Sequence, residues 1–391
     1  MQLTRAKIPP RIVNRQSRVD GILAYDYDNL YPQRVTDIVN ASGTAKYAIR
    51  LYSKFIEGNG FKDETFYKTI VNNKGLTMDK LLRKVARDYA NRYGFAIHIN
   101  YNALYQITDV RPVPFHDCRL IHPDNTDYID KIAIYNDWGK RSSARINKER
   151  IEYYDIFNPD PAVIDAQIAA AGGWSNWKGQ VFWYSEAGED YPLAPYDAVL
   201  EDIETDGRIK NHKRKKAGNG FNADFAFIYK GKFEDDQARD EFIQNLEGYQ
   251  GDDGDGDIPL IEVEKEEQIP TLLPFPKVNN DKDFYTSTEQ SVQNNIRKAF
   301  GFPGVLTGEV IPGKLGLAQE ILDACSYVNG LTNTERRVME ETFKQIFDNW
   351  YDQNINPTKD YSIIPLTIVN VAATKEVPLP ITEKPDPAPT I

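Results

Sequence analysis

Lys314 stands in the one stretch of this chain that approaches an enzyme motif. Gly308-Glu309-Val310-Ile311-Pro312-Gly313-Lys314-Leu315 satisfies the G-x-x-x-x-G-K core of a phosphate-binding loop, whose backbone N–H groups and lysine cradle phosphates. The eighth position of that loop is Ser or Thr, to hold Mg²⁺, and here it is Leu315. The loop should also follow a buried strand, yet only Val305-Leu306 precede it, directly after a helical stretch and Pro303. A loop between helices is the better reading, with a nucleotide hydrolase using Lys314 kept as the alternative.

Other clusters are weaker. Asp253, Asp255, Asp257 and Glu264 occupy positions 1, 3, 5 and 12 of a calcium-loop pattern, but position 6, a glycine in such loops, is Ile258. A solvated acidic turn is the expectation. His116, Cys118 and His122 lie in one strand-like segment whose side chains alternate between faces, and no fourth ligand is evident. No metal and no cofactor are expected. No G-x-S-x-G elbow occurs, and four histidines leave little for a general-base triad. The basic run His212-Lys213-Arg214-Lys215-Lys216 reads equally as a nucleic-acid patch or as the solvated end of a helix.

Composition bounds the rest. A chain of 391 residues has length for two or three packed units, and 41% hydrophobic with 12% aromatic residues is the composition of a folded protein. No apolar run reaches the ~18 residues of a membrane span. Met1–Asp20 is basic without an apolar stretch, so it reads as an extended arm rather than a signal peptide. Cys118 and Cys325 lie far apart, which argues for free thiols and a reducing compartment. Gly218–Lys282 holds 16 acidic against 6 basic residues, so this segment carries nearly all of the net charge of −11. Global acidity argues against a tight grip on nucleic acid.

These residues must be positioned by two kinds of element. Residues 21–190 read as a mixed α+β domain. Val35, Ile38, Val39, Ala45, Ile49, Tyr52 and Phe55 recur at helical spacing up to Gly58-Asn59-Gly60, and a second helix is expected over Thr77–Tyr93. Short strands follow over Phe95–Tyr101, Leu104–Arg111, Asp117–Ile121, Ile129–Tyr135 and Ile151–Phe157, suggesting an antiparallel sheet to which Trp174–Tyr184 adds an edge.

The chain then changes character. Pro195–Lys216 reads as a helix with acids (Asp197, Glu201, Asp202, Glu204, Asp206) in its first half and bases in its second, as the helix macrodipole favours. Phe221–Lys230, Glu234–Tyr249 and Ile258–Val263 read as strand, helix and returning strand. A polar helix is expected to start near Asp283 with Thr286 and Glu289 as a capping box, and its polarity argues against burial in its own subunit's core. Leu317–Tyr351 reads as one long amphipathic helix, with a break near Asn329-Gly330 suggested by a fresh box at Thr332 and Glu335. One strand (Tyr361–Val369) and a proline-rich tail complete the chain.

The order of elements from Tyr191 to Tyr351 resembles the portal proteins of tailed bacteriophages. The resemblance rests on Pro192-Leu193-Ala194-Pro195 opening a helix, Phe221–Tyr229 opening the insertion, and the Gly251-rich turn. It extends to the loop Phe300-Gly301-Phe302-Pro303-Gly304-Val305-Leu306-Thr307-Gly308 and the following helix with Glu335, Glu340 and Glu341. It implies an α+β portal-like fold: arm 1–20, wing domain 21–190, first stem helix 191–217, clip 218–282 and second stem helix 283–300. A tunnel loop 301–315, a long helix with a reduced crown or wing return 316–370, and a tail 371–391 would follow.

The resemblance further implies that Phe302, Pro303, Gly304, Val305, Leu306, Thr307, Gly308, Glu309, Val310, Ile311 and Lys314 line the tunnel loop. Arg208, Lys210, Lys213, Arg214, Lys215 and Lys216 would form a DNA-facing or inter-subunit basic cluster. Asp252, Asp253, Asp255, Asp257, Glu262 and Glu264 would form the clip's docking face. Such proteins form rings, usually of twelve subunits, at one capsid vertex of the virion after assembly in the host cytoplasm. Their partners are the large terminase subunit, the major capsid protein, a head-tail adaptor and the duplex DNA that passes through, with no membrane role and no enzymatic activity of their own. A structural virion or adaptor protein without a DNA channel is the other alternative.

Overall fold

The structure, a computed structural model, describes residues 21–121, 128–138, 148–186, 191–218, 227–230, 236–247, 260–263, 281–308 and 318–367. Four helices lead: α1 (Tyr31–Ala41), α2 (Gly43–Glu57), α3 (Glu64–Lys68) and α4 (Met78–Arg92). The apolar spacing from Val35 to Phe55 predicts one continuous stretch, yet it is split at Ser42. Ser42 is extended and buried, and its hydroxyl oxygen accepts the Ala45 N–H at 3.0 Å while donating to Asp206 at 2.6 Å. A capped residue held from two sides turns the chain without disturbing the apolar spacing.

The sheet comprises β1 (Gly94–Tyr101), β2 (Ile107–Val113), β3 (Cys118–Leu120), β4 (Lys131–Ile134), β5 (Glu152–Ile156) and β6 (Gln180–Ser185), in the order β2-β1-β6-β5-β4-β3. Every neighbouring pair is antiparallel except β5 and β6. The expected edge strand is therefore interior. Between β5 and β6 lies α5 (Pro161–Ala170), which the sequence reading missed; Asp160 caps it by accepting the Ala162 N–H at 2.9 Å, and Pro161 opens it. A helical crossover returns the chain to the same end of the sheet, which makes the next strand parallel.

The second half runs through α6 (Leu200–Gly218), β7 (Phe227–Lys230), α7 (Asp236–Glu247), β8 (Leu260–Val263), α8 (Asp281–Ala299), α9 (Ala318–Leu331) and α10 (Asn333–Phe347). β7 and β8 pair in parallel around the α7 crossover, as the strand–helix–strand reading anticipates. Thr286 and Glu289 lie inside α8 rather than at its start, so the expected capping box is not the helix terminus. The break between α9 and α10 falls at Thr332. Its hydroxyl donates to the Val328 carbonyl at 2.9 Å instead of capping, and Glu335 accepts from Tyr52, so that box does not form either.

Tyr361–Val369 forms no full strand within its described part. Ile363 bridges Phe61, with Ile364 N–H on Gly60 O and Lys62 N–H on Ser362 O, both 2.9 Å. The short 58–62 segment offers no longer ladder. The arm and the tail lie outside the described residues.

One continuous core joins α1, α2, α4 and the sheet to Ile203 of α6, Val292 and Ile296 of α8, and Met339, Phe343, Ile346 and Phe347 of α10. The segment entering α6 is pinned by tyrosines. Tyr25 stacks on Tyr191 (4.2 Å between ring centroids), and the Tyr191 hydroxyl donates to Leu23 O at 2.8 Å while accepting Leu120 N–H. Tyr31 donates to Asp197 at 2.7 Å. Beneath this stack the fully buried Arg119 donates to Asn29, Gln33 and the carbonyls of His116 and Cys118.

α1 and α6 meet at Gly207, where a Cβ would stand 2.9 Å from Ala41 Cβ and 3.2 Å from Ala41 O. Gly207→Val should destabilise the protein by about 1–3 kcal/mol, the usual cost of overpacking. A urea midpoint equal to wild type would show that the two helices do not touch there.

Candidate functional site at the two-helix junction

α6 and α8 run antiparallel. Asn295 reaches Asp202 at 3.4 Å near one end, and Lys213 pairs with Glu289 toward the other. α8 is polar, as its sequence indicates, but a stripe of Val292, Ile296 and Phe300 at four-residue spacing is buried and seats it on the core. The expectation that so polar a helix stays off its own core is corrected by this stripe: three apolar positions on one face suffice.

Three of the six residues of the predicted basic cluster are paired within the chain. Arg208 pairs with Glu204 at 2.5 Å, Lys210 with the buried Asp206 at 3.0 Å, and Lys213 with Glu289. Asp206 also accepts from Ser42, so Lys210, Asp206 and the start of α2 form one network. Arg214 is exposed on α6, and Lys215 and Lys216 stand in its last turn, with side chains outside the described residues.

After α8 the chain makes a packed turn. Gly301 has φ +65°, and a Cβ there would stand 2.9 Å from Leu331 Cδ1. The turn brings the Phe300 and Phe302 rings parallel, 5.7 Å apart, with Phe300 against Tyr52 and Tyr196 and Phe302 against Phe55. Pro303 leads into a 3-10 turn over Gly304–Thr307. Leu306 is buried, and its carbonyl accepts from the Tyr47 hydroxyl at 3.1 Å.

The expectation that the loop projects from Phe302 onward is thus corrected: Phe302 and Leu306, 6% and 8% exposed, are core residues, and Pro303, Gly304, Val305 and Thr307 are half-buried around them. Gly308, the last described residue of this stretch, is exposed at φ +79°. Glu309, Val310, Ile311 and Lys314 lie outside the described residues. The residues before them form a 3-10 turn, not the strand that a phosphate-binding loop requires.

α10 ties α2 to α9 beside this turn. The buried Arg336 guanidinium donates to Phe55 O (3.1 Å) and Asn329 O (2.5 Å), carbonyls near the C-terminal ends of α2 and α9, and to Thr332 Oγ1 (2.8 Å). A cation at two helix C-termini meets the negative ends of both dipoles. Beside it Tyr52 donates to Glu335 at 2.8 Å, at the edge of a cavity of about 250 Å³ lined also by Tyr93, Phe300 and Leu331.

Little here can do covalent chemistry. Burial holds the Cys118 thiol far above its ordinary range, and Cys325 is also a buried, free thiol. His116 is held down to about 4 by burial, then by the charges of Arg92 and Arg119, so it is neutral at pH 7. Asp117, 3.4 Å away, is pushed up to about 6 by burial. His122, the third residue of the suggested metal set, is outside the described residues, and among the described residues no three potential ligands converge. Of the acidic docking residues, Glu262 lies in β8 opposite Tyr229. Asp252, Asp253, Asp255, Asp257 and Glu264 are outside the described residues, as is Ile258.

A cationic groove went unnoticed in the sequence. Lys46, Arg50 and Lys54 of α2 face Arg83 and Arg87 of α4 across a cavity of about 900 Å³. Arg83 is paired with Glu57 at 2.9 Å. The signal was present: three cations at four-residue spacing on the face of α2 opposite Ala48, Tyr52 and Phe55.

No family model matches the sequence, and no curated protein matches it significantly. Among solved structures, a chain of the neck of a native gene transfer agent (GTA) particle, computed with C12 symmetry, has a TM-score of 0.46 at 14% identity, covering 82% of each chain. A chain of the native GTA virion gives 0.43 at 13% identity, covering 77% of this chain and 76% of that one. A chain of the neck of an empty GTA particle, computed with C6 symmetry, gives 0.41 at 13% identity over 79% and 78%.

Proposed function

We propose that this chain is a portal-type conduit protein: a ring-forming virion component through whose centre DNA is packaged and later ejected, and to which the tail attaches. The observation that carries the reading is the antiparallel α6–α8 pair, which brackets a strand–helix–strand insertion and closes on a core-anchored turn. In the proposed reading α6, the insertion, α8 and the turn take the places of stem, clip, stem and loop. In this reading α6 and α8 form the stem wall, the acidic insertion faces a basic partner of the packaging motor or tail, and α10 ties α2 to α9 behind the turn that follows α8.

Charge supports passage rather than grip. Arg208, Lys210 and Lys213, half of the predicted cluster, each pair with a carboxylate, and tight phosphate binding needs cations free to displace counterions. The proposed partners are further copies of the chain, the terminase, the capsid protein, a head-tail adaptor and the duplex itself.

Negative-stain electron microscopy of concentrated protein tests this. Rings are expected with radial symmetry and a central hole that admits a duplex, whose major groove alone is ~12 Å wide. Protein that stays monomeric on concentration, and binds ATP in a manner abolished by Lys314→Ala, would overturn the conduit in favour of a nucleotide hydrolase.

A further inference from the structure

We infer that the cationic groove between α2 and α4 is the seat of helix α9 from the next copy of this chain, so that this contact, repeated head to tail, builds the ring. The inference rests on the ring reading above and names its interface.

Four unbalanced cations are the first observation. Lys46, Arg50 and Lys54 stand at i, i+4 and i+8 on α2, a row of ~12 Å at 1.5 Å per residue. Arg87 faces them from α4. All four are exposed, and among the described residues none has a carboxylate within salt-bridge distance; the groove's one carboxylate, Glu57, is engaged by Arg83. In a chain of net charge −11, an uncompensated cationic channel calls for an acidic occupant.

α9 supplies the complement. Glu320, Asp323, Tyr327 and Leu331 fall on one face of that helix, at steps of three, four and four residues, over ~16 Å. Tyr327 is 56% and Leu331 46% exposed, two large apolar side chains in line with two carboxylates and only half covered by their own subunit. The groove offers matching surface: lysine and arginine stems with their heads above them, over a floor with Val39 and Ile49. Carboxylates against the cations and rings against the aliphatic stems satisfy both patches at once.

Geometry favours a neighbour. The groove lies on one face of α2, while Tyr52 and Phe55 on the opposite face contact Phe300, Phe302 and Glu335. α9 packs beyond that second face, with Leu331 against Gly301. One subunit therefore presents groove and helix on opposite sides of α2, and two different patches joined head to tail generate a ring when the rotation closes. Duplex DNA would meet the cations but leave Tyr327 and Leu331 uncovered.

The test uses the full chain and reads ring mass by mass photometry alongside class averages. Arg50→Glu with Arg87→Glu places like charges opposite the acidic stripe, and Glu320→Lys with Asp323→Lys does the same from the other side. Each double variant should lose rings by roughly tenfold or more, since like-charge contacts are strongly disfavoured. Mixing the two should restore rings of alternating subunits, because each variant's altered patch then meets its complement. This rescue also shows that both variants fold. Rings from both variants alone at wild-type yield would overturn the interface and leave the conduit standing. Loss without rescue on mixing would overturn it in favour of another occupant. Normal rings that lose retention of a non-specific duplex would assign the groove to nucleic acid instead. A wild-type protein that forms no rings removes the conduit reading first.

Discussion

Phe302→Ala should lower the free energy of unfolding by about 3–5 kcal/mol, the cost of emptying a buried aromatic site. The ring is 6% exposed, lies parallel to Phe300 and packs on Phe55, so its removal opens a cavity where α2, α8 and the 3-10 turn meet. Thr307→Ala, four residues beyond the turn's proline, removes a half-buried hydroxyl that bonds only Gly304 O locally, and should cost at most about 1 kcal/mol. Denaturant unfolding of the two variants separates the alternatives. Equal midpoints for Phe302→Ala and wild type would mean that the ring projects from the protein, as the loop pattern alone suggests. A large loss places the anchor of the loop at Phe302.

Arg336→Met should also be damaging, by about 1–3 kcal/mol or more, the cost of leaving buried acceptors without their donor. Methionine fills much of the volume but donates nothing. The carbonyls of Phe55 and Asn329 and the Thr332 hydroxyl would then lose a charged donor. Burial already works against the guanidinium, holding its pKa below the ordinary value, and Glu340 and Glu335 offset that only in part. Arg336→Lys should recover part of the loss, because an ammonium reaches fewer of the three acceptors than the planar fork does. A thermal midpoint for Arg336→Met within a degree or two of wild type would show that α10 does not brace α2 and α9 through this residue.

Much of the local order was legible in the sequence. Periodicity located α4, α6, α7, β1 to β5 and the βαβ insertion, because each element's spacing is a property of a dozen neighbouring residues. The failures are also local in origin. α5 was missed despite its Asp160-Pro161 start, since its alanine-rich sequence has little amphipathic contrast, and with it went the parallel β5–β6 pairing. Ser42 was harder: a single non-helical residue redirects a helix while leaving the apolar spacing on either side intact, whereas the break at Thr332 fell within a few residues of its expected place.

By itself, then, the sequence determined the succession of elements and the segregation of charge along α6 and the insertion. Both are written in residues adjacent in the chain. Only the tertiary structure decided which charges are spent and which remain free. Lys213 is neutralised by Glu289, 76 residues away, and Asp206 is held by Ser42, 164 residues away, whereas Lys46, Arg50, Lys54 and Arg87 meet no carboxylate among the described residues. The same holds for Phe302, whose apolar character fits a projecting loop or a core equally until Phe55 and Phe300 are brought against it. Pairing and burial depend on distances between remote segments, and one-dimensional spacing does not encode those distances.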